Sequence, residues 1–361
     1  MNIVDNHAHI FPYLGGRSEY ESKEIQLTYA QQLISGHHNP VKRLPDYDNI
    51  DEESSNMLWD KSRPGIDGKK DVDFRAGKFG RYEWTVDGKD YCKQYMPVSL
   101  KDMKASPEFL IAQMDYVGID MAVLQRGHIY GKLEKFYQDA ISRYPDRFIG
   151  LCQIDEARAY SENQITELHD AIENLGLRGV YFEPGALFMD NYSHQFDDEI
   201  YMNFWKEVDK LGIPLYVQVD RGEFETQMNQ WGNVLGRYPS IPLVLSLGLP
   251  EEIALSDSPV KIPEELKILV ESYEVYLEIG YPISMGRARD YPYPEAHKII
   301  LSLYESFGPE TLIWGTDIPN VERNCTYAQS LDYVTNYCDF LSRSDREMIL
   351  GENALNLFTG K

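Results

Sequence analysis

Two imidazoles stand one residue apart near the start of the chain, in NIVDNHAHI (residues 2–10), and a carboxylate, Asp317, ends an apolar run near its finish, TLIWGTDIP. On an extended strand residues i and i+2 share a face, so His7 and His9 point the same way. Two imidazoles and a carboxylate form a donor set that suits a borderline divalent ion such as Zn²⁺. A His-x-His pair taken alone is also consistent with a buried pair held by backbone hydrogen bonds. The chemistry therefore depends on the fold: only a closed ring, with the first strand beside the last, brings His7, His9 and Asp317 together.

The elements that would build such a ring are regular from Ser106 onward. SPEFLIAQMDYVG carries a Ser N-cap, Pro107 in the first turn, Phe109, Leu110, Met114 and Val117 on one stripe, and Gly118 as a stop. Helical and apolar segments then alternate through IDMAVLQ, RFIGLCQI, LRGVYFEP, IPLYVQVD, IPLVLSLG, EVYLEIG and TLIWGTD. With NIVDNHAH these make eight strand candidates. Most are short and almost continuously apolar, as strands covered by helices on the sheet face are. The count predicts an α/β fold, a (β/α)₈ TIM barrel over residues 1–361, with an open doubly wound sheet as the alternative. No GxGxxG follows an early strand and no GxxxxGK[ST] is present, which argues against a dinucleotide or P-loop site.

Residues 11–100 break the rhythm for about 90 residues, too long for an ordinary connection, and read as an elaborated loop or small subdomain inserted after the first strand. GKFGRYEWTVDG within it reads as hairpin material; a lid over the barrel mouth and a dimerisation arm are both compatible. His37 and His38 read as a surface turn. The tail SRSDREMILGENALNLF predicts two short helices with a turn at Gly351.

The formal charge of −23 argues against a general nucleic-acid surface but leaves room for a small anionic substrate held by a few buried arginines. Cys92, Cys152, Cys325 and Cys338 form no CxxC unit and read as reduced thiols of a cytoplasmic protein. No signal-peptide pattern or bilayer-spanning apolar run is expected. A homodimer is expected on general frequency.

In a (β/α)₈ barrel reactive groups sit at the C-terminal strand ends. Those ends carry His7 and His9, Gln125 and Arg126 with His128 beyond, Glu183, Gln218 and Asp220, Ser246, Glu278 and Asp317. His7, His9 and Asp317 would hold the ion, with Glu183 completing its shell. Asp317 would orient or deprotonate water, directly or on that ion; a metal-free site with Asp317 as base is the alternative. Arg126, Arg287 and Arg289 are candidates for a substrate carboxylate. His128 would deliver a proton to a leaving group, and Tyr130, Tyr181, Tyr291 and Tyr293 would line an aromatic pocket. His194 and His297 are set aside.

DNHAH, GLRGVYFEPG, FGPETLIWGTDIP and ILGENALNLF together resemble the amidohydrolase-related family of aminocarboxymuconate-semialdehyde decarboxylase and the hydroxybenzoate decarboxylases, with the pyrone-dicarboxylate and muconolactone hydrolases. The resemblance spans the chain apart from the region after the first strand, and it implies a distorted barrel. It also implies a metal-binding histidine ending strand five and a catalytic one after strand six, where this sequence has Gln218 and Ser246. On that reading the two usual histidines are replaced and Gln218 and Ser246 become substrate-side groups. The expected function is hydrolysis of a small carboxylated lactone or related ring. Non-oxidative decarboxylation of a hydroxylated aromatic or muconate-like acid is the alternative, and a catalytically silent binding or assembly protein is the third reading.

Overall fold

The computed structural model describes residues 2–50, 54–250, 254, 260–280 and 290–359; Arg287 and Arg289 lie outside them. The barrel is built from β1 (Val4–Ala8), β7 (Met121–Leu124), β8 (Phe148–Gly150), β9 (Cys152–Gln153), β10 (Val180–Phe182), β11 (Leu215–Gln218), β12 (Leu243–Ser246), β13 (Val275–Glu278) and β14 (Leu312–Ile313). All their pairings are parallel, in the orders β1-β7-β8 and β9-β10-β11-β12-β13-β14. The expected strand RFIGLCQI is split at Leu151. Its N–H donates back to Leu124, while that of Cys152 donates forward to Gly179, so the chain passes from one neighbour to the other. The last strand meets the first: Asn6 N–H donates to Trp314 O (3.1 Å), Asp317 N–H to His7 O (2.8 Å) and His9 N–H to Ile318 O (2.8 Å). The ring is closed, and the fold is a distorted TIM barrel of α/β class.

Inside the ring the sequence forms rungs. Val4, Val123, Leu151, Tyr181, Tyr216, Val244, Tyr276 and Ile313 pack together as one apolar rung. Two residues further along each strand stand Asn6, Gln125, Gln153, Glu183, Gln218, Ser246, Glu278 and Gly315, a polar rung facing the C-terminal ends, as a period of two requires. The other end is plugged by Ala354, Leu357 and Phe358 of the helix Asn353–Thr359.

Helices form where the pattern predicts them. Ser106 Oγ accepts from Phe109 N–H (3.2 Å) to cap Pro107–Val117, and Gly118 ends that helix at φ 85°. The C-terminal expectation needs correction: there is no turn at Gly351. Arg343–Glu347, a π turn at Met348–Glu352 and Asn353–Thr359 run on without a break. A Cβ on Gly351 would come within 2.0 Å of Asn2 O, so the glycine lets the helix press against the start of β1.

Within residues 11–100 lies a five-stranded antiparallel sheet, ordered β3 (Asp48–Asn49), β2 (Lys42–Arg43), β6 (Lys89–Gln94), β5 (Arg81–Val86), β4 (Arg75–Ala76). The β5–β6 hairpin turns at Asp87 (φ 50°) and Gly88 (φ 70°), the left-handed pair that tight hairpins favour. The same segment holds the helix Lys23–Gly36, which apolar periodicity does not announce because Gln26, Thr28 and Gln31 occupy its buried side. The glutamine amide N–H groups are bonded, Gln26 Nε2 to Ile129 O and Gln31 Nε2 to Leu58 O (2.9 Å) and Lys70 O (2.8 Å).

Candidate metal centre and active-site cavity

His7, His9 and Asp317 converge. One ligand atom from each lies within 4.8 Å of the others, and all three side chains are buried. Simple alternation does not achieve this alone. Asn6 faces the interior, where Tyr216 Oη donates to it (2.8 Å), yet His7 also reaches the site, because β1 bulges between Asp5 and Ala8. Asp5, ahead of the bulge and opposite in face to Asn6, points toward the closing segment. It accepts from His7 N–H (3.0 Å), Thr316 N–H (2.9 Å), Thr316 Oγ1 (2.6 Å) and Tyr327 Oη (2.7 Å), tying the histidines to the segment that carries Asp317. Asp317 itself sits at φ 64°, a left-handed conformation uncommon outside glycine and found where a site constrains the backbone.

The donor chemistry tests whether a cation fits. His9 Nδ1 donates to Gln125 O (3.1 Å), and His7 Nδ1 faces Glu278 Oε2 at 2.8 Å. With both Nδ1 atoms used as donors, the Nε2 lone pairs meet at 3.0 Å, and Asp317 Oδ1 lies 3.0 Å from His9 Nε2 and 3.7 Å from His7 Nε2. Three acceptors this close repel unless a proton or a cation sits among them. As a protein-only site the proton goes to His7. Burial opposes its charge, but Glu278, Asp317 and Asp5 lift its pKa to about 9. Burial and the charge on His7 lower that of His9. Burial would raise Asp317, yet the His9 hydrogen bond and the charges of His7, His9 and Arg323 hold its carboxyl below the usual range. A divalent ion satisfies the same three acceptors, and the outward bonds to Glu278 and Gln125 are the supports metal-ligating histidines need. The residues fit a metal.

The triad lies in a cavity of about 500 Å³ at the C-terminal strand ends, walled also by Tyr29, Leu33, His37 and Tyr95 of the 11–100 segment. His37, half-buried, and His38, exposed, line the rim of that cavity. Arg126 lines the cavity and is buried. Its Nη2 is spent on Lys132 O and Glu134 Oε1 (2.9 Å), and its plane lies over Tyr137 (4.8 Å). Its Nε and Nη1 meet no acceptor among the described residues. Tyr181 Oη donates to Gln218 Oε1 (2.7 Å), and both line the cavity. Ser246 does not: its hydroxyl is tied to Gln125 Oε1 (2.9 Å) beneath the floor. Glu183, expected to complete the ion's shell, is not among the converging groups and sits with His128, Gln153 and Glu156. Three further groups at the site were not singled out from sequence. Asn320 Nδ2 donates to Asp317 Oδ1 (2.7 Å), Arg323 Nη2 lies 3.8 Å from Asp317 Oδ2, and Tyr20 binds His128. Their one signal is spacing, Asn320 and Arg323 following Asp317 by three and six residues.

The chain matches the amidohydrolase family over residues 4–359. It belongs to that family. No curated protein matches this amidohydrolase in sequence. Among solved structures it resembles an amidohydrolase from Burkholderia multivorans with bound zinc, at 16% identity over 71% of this chain and 89% of that one, TM-score 0.57. It also resembles a probable 2-pyrone-4,6-dicarboxylic acid hydrolase from Acinetobacter baumannii with citric acid bound, at 18% identity over 71% and 90%, TM-score 0.54. A third is a dihydroxybenzoic acid decarboxylase from Polaromonas with manganese and 2-nitroresorcinol, at 16% identity over 71% and 86%, TM-score 0.52. At these identities the likeness is one of fold.

Family membership and the assembled triad mark this amidohydrolase as an enzyme with a candidate His/His/Asp metal site. They also correct the reading in which Gln218 and Ser246 stand for lost metal-site histidines. The triad is intact and closes without either position, while Gln218 is bonded to Tyr181 and Ser246 to Gln125. Among the described residues no helix is long and apolar enough to cross a membrane, and the four cysteines are free and buried.

Proposed function

We propose that this amidohydrolase hydrolyses a small carboxylated lactone or related cyclic ester. The observation that carries the reading is Asp317: a buried carboxylate held below the usual pKa range, oriented by His9 and Asn320, and open to a cavity that Arg126 also lines. His7, His9 and Asp317 would hold a divalent ion, Zn²⁺ by donor type, which when bound polarises a carbonyl and acidifies water. Asp317 takes the proton from water as its oxygen attacks the ring carbonyl carbon. The Nε and Nη1 N–H groups of Arg126, without an acceptor among the described residues, hold the substrate carboxylate, and burial makes such charge-assisted bonds strong. Tyr181 and Gln218 contact the ring from the adjacent wall. The acids named for the similar structures, pyrone dicarboxylate among them, are of this size and charge.

The test is to offer 2-pyrone-4,6-dicarboxylate and a dihydroxybenzoate to protein of known metal content, before and after chelation. Loss of pyrone absorbance without gas release supports the reading, and loss of that activity with the ion places the metal in it. Carbon dioxide release selects decarboxylation instead. Binding of both acids with no turnover of either would reject an enzyme acting on this class.

A further inference from the structure

Proton delivery to the leaving group, expected of His128, is blocked by how that imidazole is held. Its Nε2 is bonded to Glu156, its Nδ1 to Tyr20 Oη, and its face is stacked on Tyr29 at 4.1 Å and 8°. Neither ring nitrogen is left for a substrate. Glu156 is fully buried and committed as well, accepting from Gln153 Nε2 (2.9 Å) and Glu183 N–H (3.0 Å) in addition to His128. The carboxyl beside this pair is different. Glu183 lines the cavity, is only partly buried, and its Oε2 accepts a long bond from His128 N–H (3.4 Å) with a further bond from Gln153.

Two carboxyls thus flank one imidazole. The inner one takes the imidazole as its partner, and the outer one faces the cavity with no ion pair of its own among the described residues. We propose that Glu183 is the general acid of this site, donating a proton to the departing ring oxygen. This rests on the lactone-hydrolysis reading. The step balances: water oxygen bonds to the carbonyl carbon as Asp317 accepts its proton, the carbon–oxygen ring bond breaks, and the Glu183 carboxyl protonates that oxygen and becomes a carboxylate. Solvent exchange through the cavity restores both groups. The groups facing Glu183 agree with the role. Burial raises its pKa and Glu156 adds to this, while His128 and the bonds from His128 N–H and Gln153 only partly offset them. Tyr29 and Tyr192 also lie close to it, and burial raises the pKa of both phenols further. Burial and the neighbouring Glu156 both disfavour the ionised form of Glu183, which is the bias a proton donor needs.

The experiment compares wild type, Glu183→Gln and Glu183→Asp on two esters of one carboxylated acid, a lactone with an alkoxide leaving group and an activated aryl ester. The expected result is a loss of about 100-fold or more in kcat on the lactone for Glu183→Gln. The aryl ester, which needs no acid, should be nearly unaffected, metal stoichiometry should not change, and Glu183→Asp should recover part of the loss. Equal losses on both esters, or loss of bound metal, overturn the proposal. Infrared difference spectroscopy supplies a readout that needs no substrate. A protonated-carboxyl band at neutral pH that disappears in Glu183→Gln supports the donor even if wild type turns over neither ester, an outcome that would sink the hydrolase reading alone. Absence of the band overturns the donor whatever the turnover.

Discussion

At the scale of single residues, the site depends on side chains that hold its ligands without lining the cavity. Glu278 accepts from His7 Nδ1 (2.8 Å), Asn6 Nδ2 (2.9 Å) and Leu247 N–H (2.9 Å), and also from Gln125. Replacing it with Gln leaves the shape but can turn an N–H toward His7 and release the imidazole's orientation. Metal affinity of Glu278→Gln should fall about 10- to 100-fold, the usual cost of losing such a support. Competition with a chromophoric chelator measures this, and an unchanged constant would refute it. Asp317→Asn should fold and lose at least about 100-fold in turnover, the lower end for a positioned proton-transfer group; near-normal turnover would remove it from the mechanism. His7, His9 and Asp317 were visible in the sequence because they end recognisable strands. Asp5 was not, since alternation places it on the face of His7, and the bulge that turns His7 inward leaves Asp5 pointing to Thr316 and Tyr327.

At the scale of elements, the helix Lys23–Gly36 forms a wall of the cavity and is held at its end by a buried lysine. Lys93, on β6, is 1% exposed and donates to Ile34 O (3.0 Å) and His37 O, capping the carbonyls that the helix leaves open. Burial lowers its pKa from 10.5 to about 8. Above about pH 8 the folded chain has therefore shed a proton that the unfolded chain keeps up to pH 10.5, so this residue makes stability rise with pH across that interval. Relative to Lys93→Met, wild type should gain about 1 kcal/mol between pH 8 and 9. Urea unfolding of the two proteins at both pH values tests this, and a pH-independent difference would exclude it. The helix escaped sequence reading because its buried side is amide and hydroxyl, stabilised by partners far away in sequence. The hairpin nearby did not, because Asp87-Gly88 is a local signal.

At the scale of the whole molecule, the candidate metal centre joins the two ends of the chain. Residues 7 and 9 lie on β1, residue 317 follows β14, and the same ion that serves chemistry would clamp the ring where its last strand meets its first. Binding to the folded state alone stabilises it by mass action, about 2.7 kcal/mol when the free ion is 100 times its dissociation constant. Adding Zn²⁺ to metal-stripped protein should raise the melting temperature by a few degrees, and His9→Ala should abolish the rise. An equal rise in both proteins would show that the ion binds elsewhere.

The sequence by itself determined the ring and its chemical inventory. Strand periodicity and helix caps are local, and a repeat of apolar strand then polar strand end fixes which residues face the mouth of a barrel. What the tertiary structure alone decided was pairing. That His128 is bound at both nitrogens, that Glu183 stands beside it and away from the triad, and that Ser246 lies beneath the floor follow from contacts between residues tens to hundreds of positions apart. Side-chain hydrogen bonds of that range have no periodicity, so no pattern along the chain records them, and it is they that sort a row of polar strand ends into candidate metal ligands, their supports and the proposed proton donor.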